Sequence, residues 1–147
     1  MQSSLHDPAR FEVLFDDDHA VANAGLVLVA SCTKALGIEA VANEFIDLGE
    51  RPGASRPGRK ILTLLHSMVA GGDCIDDVDV LRSGSTGQVL GHRVMAPSTV
   101  GTFLRSFTFG HVRQLDRLFE TILQRAWSAG AGPGSQPMTI DLHSTIC

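Results

Sequence analysis

Apolar and polar positions along this 147-residue chain repeat with two periods, and most of the chain keeps the helical one. Phe11-Glu-Val-Leu-Phe15 reads as a short strand, ended by Asp16-Asp-Asp-His19, whose acids suit the start of a following helix. Ala20 to Leu36, rich in Ala, Val and Leu without a strict stripe, predicts a buried helix that stops at Gly37. Ile38, Val41, Ala42, Phe45, Ile46 and Leu48 then recur at helical spacing and predict a second helix with one apolar face. The pair has the outline of a helix-turn-helix, an outline common to compact helical domains.

Gly49 to Lys60, rich in Gly and Pro, predicts a linker or turn. A helix burying Ile61, Leu62, Leu64, Leu65, Met68 and Val69 follows and stops at Gly71-Gly72. Asp73 is placed as the cap of a short helix with Ile75, Val78 and Leu81 on its face, and Ser83 to Gly91 as a loop. Pro97-Ser98 starts a helix holding Val100, Phe103, Leu104 and Phe107, with Gly110 as its breaker. The clearest periodicity runs from about His111 to Ser128. Val112, Leu115, Leu118, Phe119, Ile122, Leu123, Ala126 and Trp127 form a stripe expected in the core. Ala129-Gly-Ala-Gly-Pro-Gly134 reads as a flexible linker.

The period changes to two at the end. Met138, Ile140, Leu142 and Ile146 share one parity; Thr139, Asp141, His143 and Thr145 share the other. One strand cannot satisfy its own backbone, so the remaining sheet would lie in sequence beyond this chain, and a truncated protein is expected. Strands 11–15 and 138–146 are candidates to pair. The predicted architecture is mainly α: a helical region over residues 1–128, a Gly/Pro linker over 129–137, and a first strand over 138–147.

Composition adds exclusions. Net charge −4 leaves no global footprint for nucleic acid, so a DNA-binding surface would be a local basic patch. The most basic window holds Arg51, Arg56, Arg59 and Lys60, a solvated loop on composition alone; membership of a DNA-binding family would make DNA-backbone contact an equal reading. Arg113 and Arg117 suit phosphates, or pairing with Asp116 and Glu120. The start lacks the charged and apolar regions of a signal peptide, and the longest apolar stretch is too short to span a bilayer. Three widely spaced cysteines, with no C-x-x-C pair, suggest free thiols in a cytoplasm. Nucleotide-binding glycine loops are absent. Asp73, Asp76, Asp77 and Asp79 fail the Ca²⁺-loop pattern and read as a solvated helix face. The histidines have no metal spacing, and His66 is expected as a satisfied core or boundary residue.

Gly71-Gly-Asp-Cys-Ile-Asp-Asp-Val-Asp-Val-Leu-Arg82, the segment Ala96 to Asp116, Ala24-Gly-Leu26 and Thr139 to Ile146 resemble, in order, the N-terminal region of bacterial DDE-type insertion-sequence transposases. The resemblance covers nearly the whole chain. It implies a helical region that binds the DNA ends of the element, followed by a ribonuclease-H-like domain in which three carboxylates hold two Mg²⁺ ions for cutting and joining DNA. It gives Arg82 and Arg105 a role beyond solubility. It also implies that the first metal-binding carboxylate belongs directly before Ser144-Thr145, where His143 stands, a poor Mg²⁺ ligand. Asp141, on the same strand face, is the nearby substitute. The implied protein is a truncated transposase that binds DNA and is inactive alone, with a second copy or a full-length transposase as possible partner. A helical DNA-binding regulator and a non-functional remnant are the alternatives. The regulator suffers from a second helix carrying Glu39, Glu44 and Asp47 and no basic residue.

Overall fold

The computed structural model describes residues 21–139, and these form a mainly helical body with no β-strand among them. Seven α-helices follow one another: α1 Leu26–Leu36, α2 Ile38–Phe45, α3 Pro57–Val69, α4 Val78–Arg82, α5 Thr86–Leu90, α6 Pro97–Arg105 and α7 Phe109–Ala126. A 3₁₀ turn, Ile75–Asp77, leads into α4, and a π turn, Trp127–Ala131, follows α7. The expected strand 11–15 and the terminal strand from Ile140 onward, with Asp141 and His143, lie outside the described residues. Met138 and Thr139 carry no regular secondary structure.

Two apolar clusters form the core. Val41, Ala42, Ile46, Leu48, Phe103 and Leu118 bring α2, α6 and α7 together. Leu26, Val78, Leu81, Leu90 and Val94 bring together α1, α4, α5 and the segment before α6. Helix α3 contacts α1, α2, α4 and α6. Its buried residues include Leu62, but also Lys60, Thr63, His66 and Ser67. The sequence expectation holds for Leu62 and for Ile61 and Leu64, which pack against the first cluster; Met68 and Val69 are instead exposed, and a buried polar spine runs beside the apolar residues. Hydrogen bonding makes that burial tolerable. Thr63 Oγ1 donates to Arg59 O and accepts from Met95 N, and no buried side-chain polar atom among the described residues lacks a partner.

Other boundaries move for local reasons. Residues 22–25 form turns, with Asn23 at φ 58°, so α1 starts at Leu26. Only Leu26 and Thr33 of α1 are buried, while Val27 and Leu28 are exposed. Helix α2 ends at Phe45, and Ile46 and Leu48 enter the core from an extended segment. The 83–91 region contains α5, anchored where Thr86 Oγ1 donates to Ala22 O at 2.8 Å. Asp73 does not cap the helix that follows it. The Asp77 carboxylate accepts from the N–H groups of Asp73 and Cys74, both at 2.9 Å, which lowers its pKa. Gly110 lies inside α7, whose first turn is closed by Thr108 and His111.

Helix α7 carries two seams. Leu115, Leu118 and Ile122 face the core. Gln114 exchanges two hydrogen bonds with the Asp47 backbone, and Arg125 Nη1 donates to Leu36 O at 2.8 Å, which fixes the rotation of the helix. Val112, Phe119, Leu123 and Trp127, expected in the core, are instead exposed. No single helix among the described residues is long and apolar enough to cross a membrane; α1 and α2 pass only as a pair, bent by 52°.

Candidate nucleic-acid interface

The Gly/Pro-rich segment before α3 is a fixed structure. Lys60 is buried, its Nζ donating to Gly53 O at 2.7 Å and to Ser55 O, and it lies 5.3 Å from the Phe103 ring centroid. Ser106 Oγ donates to Pro52 O at 2.6 Å, and Arg51 Nη1 donates to Ser106 O at 2.8 Å. Gly53 sits at φ +86°, and a Cβ there would come within 2.9 Å of Phe103 N, so both conformation and space demand glycine. Lys60 is an internal clamp, with its pKa lowered by burial, whereas Arg51 stays exposed and spends one N–H on Ser106 O.

Once the segment is pinned, Arg56 and Arg59 open onto a groove of about 730 Å³, which Arg82 of α4 and Arg93 also line. A second groove of about 680 Å³ is lined by Arg59, Arg82, His92 and Arg93. The shared arginines make one continuous trough. No Asp or Glu lines either part, in a chain with 16 acidic residues. Arg59 pairs with Glu39 at 3.0 Å and Arg82 with Asp79 at 2.5 Å, so each is half-neutralised from behind. Arg56 and Arg93 make no ion pair among the described residues. Ala96 and Thr99, from the α6 N-terminus, also line the groove, and the partial positive charge of a helix start adds to the field.

Beneath the trough lies a pair of histidines. His66 Nδ1 and His92 Nε2 are 2.9 Å apart, and the rings stack at 5.1 Å. His92 Nδ1 faces Arg93 O at 3.2 Å. A carbonyl only accepts, so His92 carries its proton on Nδ1 and its Nε2 accepts from His66 Nδ1–H. His66 Nε2 then faces Thr33 Oγ1 at 3.5 Å. Burial, then the charge His92 would carry, push the His66 pKa down to about 4. Burial also lowers that of His92. The neutral pair holds the backbone of Arg93 in place.

The trough thus joins Arg56 and Arg59 of the expected set to Arg82. Arg105 reaches its edge, with Nη2 3.5 Å from Thr102 Oγ1. Arg113 and Arg117 stand exposed on α7, away from the lining. Sequence reading missed Arg93, which lies in a segment without periodicity; its neighbours are held by the fold, His92 by His66 and Val94 by the second apolar cluster.

The metal implied by the resemblance was tested against the donors present. Asp73, Cys74 and Asp77 cluster within 4.8 Å, but Asp77 Oδ2 already accepts two backbone N–H groups, and a thiol is a soft ligand ill-suited to Mg²⁺. Mg²⁺ therefore does not fit the described residues, and its expected ligand Asp141 lies outside them. Compared with protein-family models, with characterised proteins and with solved structures, the chain has no significant match.

Proposed function

We propose that this chain is the DNA-binding part of a DDE-type transposase, gripping the phosphate backbone along the arginine trough. The observation that carries the reading is the convergence of Arg56, Arg59, Arg82 and Arg93 from three separate segments on a trough free of carboxylates. Planar guanidinium groups suit phosphate oxygens because they donate two hydrogen bonds at once. The transposase assignment rests on the sequence resemblance, and a cytoplasmic setting with DNA ends as partner follows from it. Strand transfer is not assigned to this chain, because His143 stands where the resemblance puts a carboxylate. The regulator alternative needs α2 as its reading helix. Glu39 and Glu44 are the charged side chains of α2, and Glu39 is held by Arg59.

The test is fluorescence anisotropy of labelled duplex DNA against salt. Four neutralised phosphates give a slope of log K on log[salt] of about −3.6, a loss on the order of 100-fold between 50 and 200 mM. Arg93→Ala reduces the slope by about 0.9, uniformly across sequences. Salt-independent binding, or binding unchanged by Arg93→Glu with Arg56→Glu, refutes the assignment of the trough.

A further inference from the structure

The outward seam of α7 has the geometry of a coiled-coil surface. Phe109, Val112, Asp116, Phe119, Leu123 and Ala126 are spaced three and four residues apart over one 18-residue helix. Phe109 is 84 % exposed and Phe119 64 %. Phe119, Ile122, Leu123 and Ala126 border an apolar groove of about 610 Å³. Leu115, Leu118 and Ile122 turn the adjoining side of the helix, about a quarter-turn away, into the core, so the seam is a second apolar face bordering the first. At about 1.5 Å per residue the seam is about 27 Å long, enough for two and a half heptads.

We propose that this seam binds a second copy of the chain, α7 against α7 in antiparallel orientation. Charge decides both occupant and direction. With Phe109, Asp116 and Leu123 as a positions and Val112, Phe119 and Ala126 as d positions, Arg113 and Glu120 fall at e. In an antiparallel pair e faces e, so Arg113 of each copy meets Glu120 of the other, twice by symmetry. Neither residue makes an ion pair among the described residues. A parallel pair would place Asp116 against Asp116 in one layer and set Glu120 against Leu115 and Arg113 against Thr108, leaving both charges without a partner. The antiparallel pair staggers the two aspartates and opposes each to Phe119. Asp116 weakens the seam while fixing its register, as single polar residues at a positions do.

The experiment is sedimentation equilibrium of the whole chain, with the emission of its single tryptophan, Trp127 at the seam end, followed against concentration. A concentration-dependent dimer with blue-shifted Trp127 emission is expected. Phe119→Glu makes it monomeric, and because Phe119 is exposed the fold is retained, as circular dichroism would show. Asp116→Leu tightens the dimer by tenfold or more. Arg113→Glu or Glu120→Arg alone weakens it by roughly fivefold through two surface ion pairs, and the double swap restores it. A monomer with concentration-independent emission, including one whose seam is covered by its own chain, overturns the proposal. So does a dimer indifferent to Phe119→Glu and to the charge swap.

Discussion

Acid should destabilise this protein through one buried pair. In the unfolded chain His66 titrates near 6.5; in the fold burial and its neighbour push it down to about 4. Between those values the unfolded chain binds a proton that the folded one does not, so stability falls as pH falls through the window and levels off below it. At about 1.4 kcal/mol per pH unit the loss amounts to about 3 kcal/mol, with His92 adding in the same direction. That is a large share of the 5–15 kcal/mol (about) typical of a domain. The groups that face the pair are few: Thr33 beside His66, and Glu39 and Arg59 acting on His92 in opposite senses. The assay is urea unfolding at pH 7.5, 6, 5 and 4. His66→Asn, which keeps a donor near the Nδ1 position, lowers stability at pH 7.5 but flattens the profile between 6.5 and 4. A variant whose profile runs parallel to that of the unmodified chain would refute the reasoning, since the slope would then belong to other groups.

Lys60→Met leaves the Gly53 and Ser55 carbonyls without their donor and costs about 2–5 kcal/mol by thermal unfolding. The same substitution leaves the salt slope of DNA binding unchanged, in contrast to Arg93→Ala, because the ammonium is turned inward. Gly53→Ala strains a left-handed turn against the α6 backbone and lowers stability by more than about 1 kcal/mol, measurable as a drop in midpoint temperature. Phe103→Ala, at the centre of one apolar cluster, costs about 3–5 kcal/mol in urea.

The sequence showed some of these features plainly and hid others, for physical reasons. The helices at 38–45, 97–105 and 109–126 were legible because each keeps a helical period, and Pro97 marks the start of the second; the Thr108 start of the third was hidden by Gly110. The burial of α7 was not. Its stripe is wide enough for two seams, and only Gln114 and Arg125, whose partners lie 67 and 89 residues away, decide which one turns inward. The polar spine of α3 was illegible for a related reason. Thr63 and Ser67 look like a solvent face, and although His66 reads as a satisfied core residue, its partners Thr33 and His92, like the Met95 N–H that Thr63 accepts, come only from the tertiary fold. The trough was half visible. The local density of Arg56 and Arg59 gave one wall, whereas Arg82 and Arg93 join it only through the tertiary fold.

The polar spine has a consequence for association entropy. Apolar clusters packed against each other can slide, because dispersion contacts are nearly non-directional. Here α3 is tied by directional bonds to α2 at Gly58 and Arg59, and to α1 and the 92–95 segment at Thr63 and His66, and the same helix carries Arg59 at the trough. The backbone positions of the trough arginines are therefore set before any partner arrives. A polyanion docking there would restrict only their side chains, about 0.5–1.5 kcal/mol each, and not the loops between them.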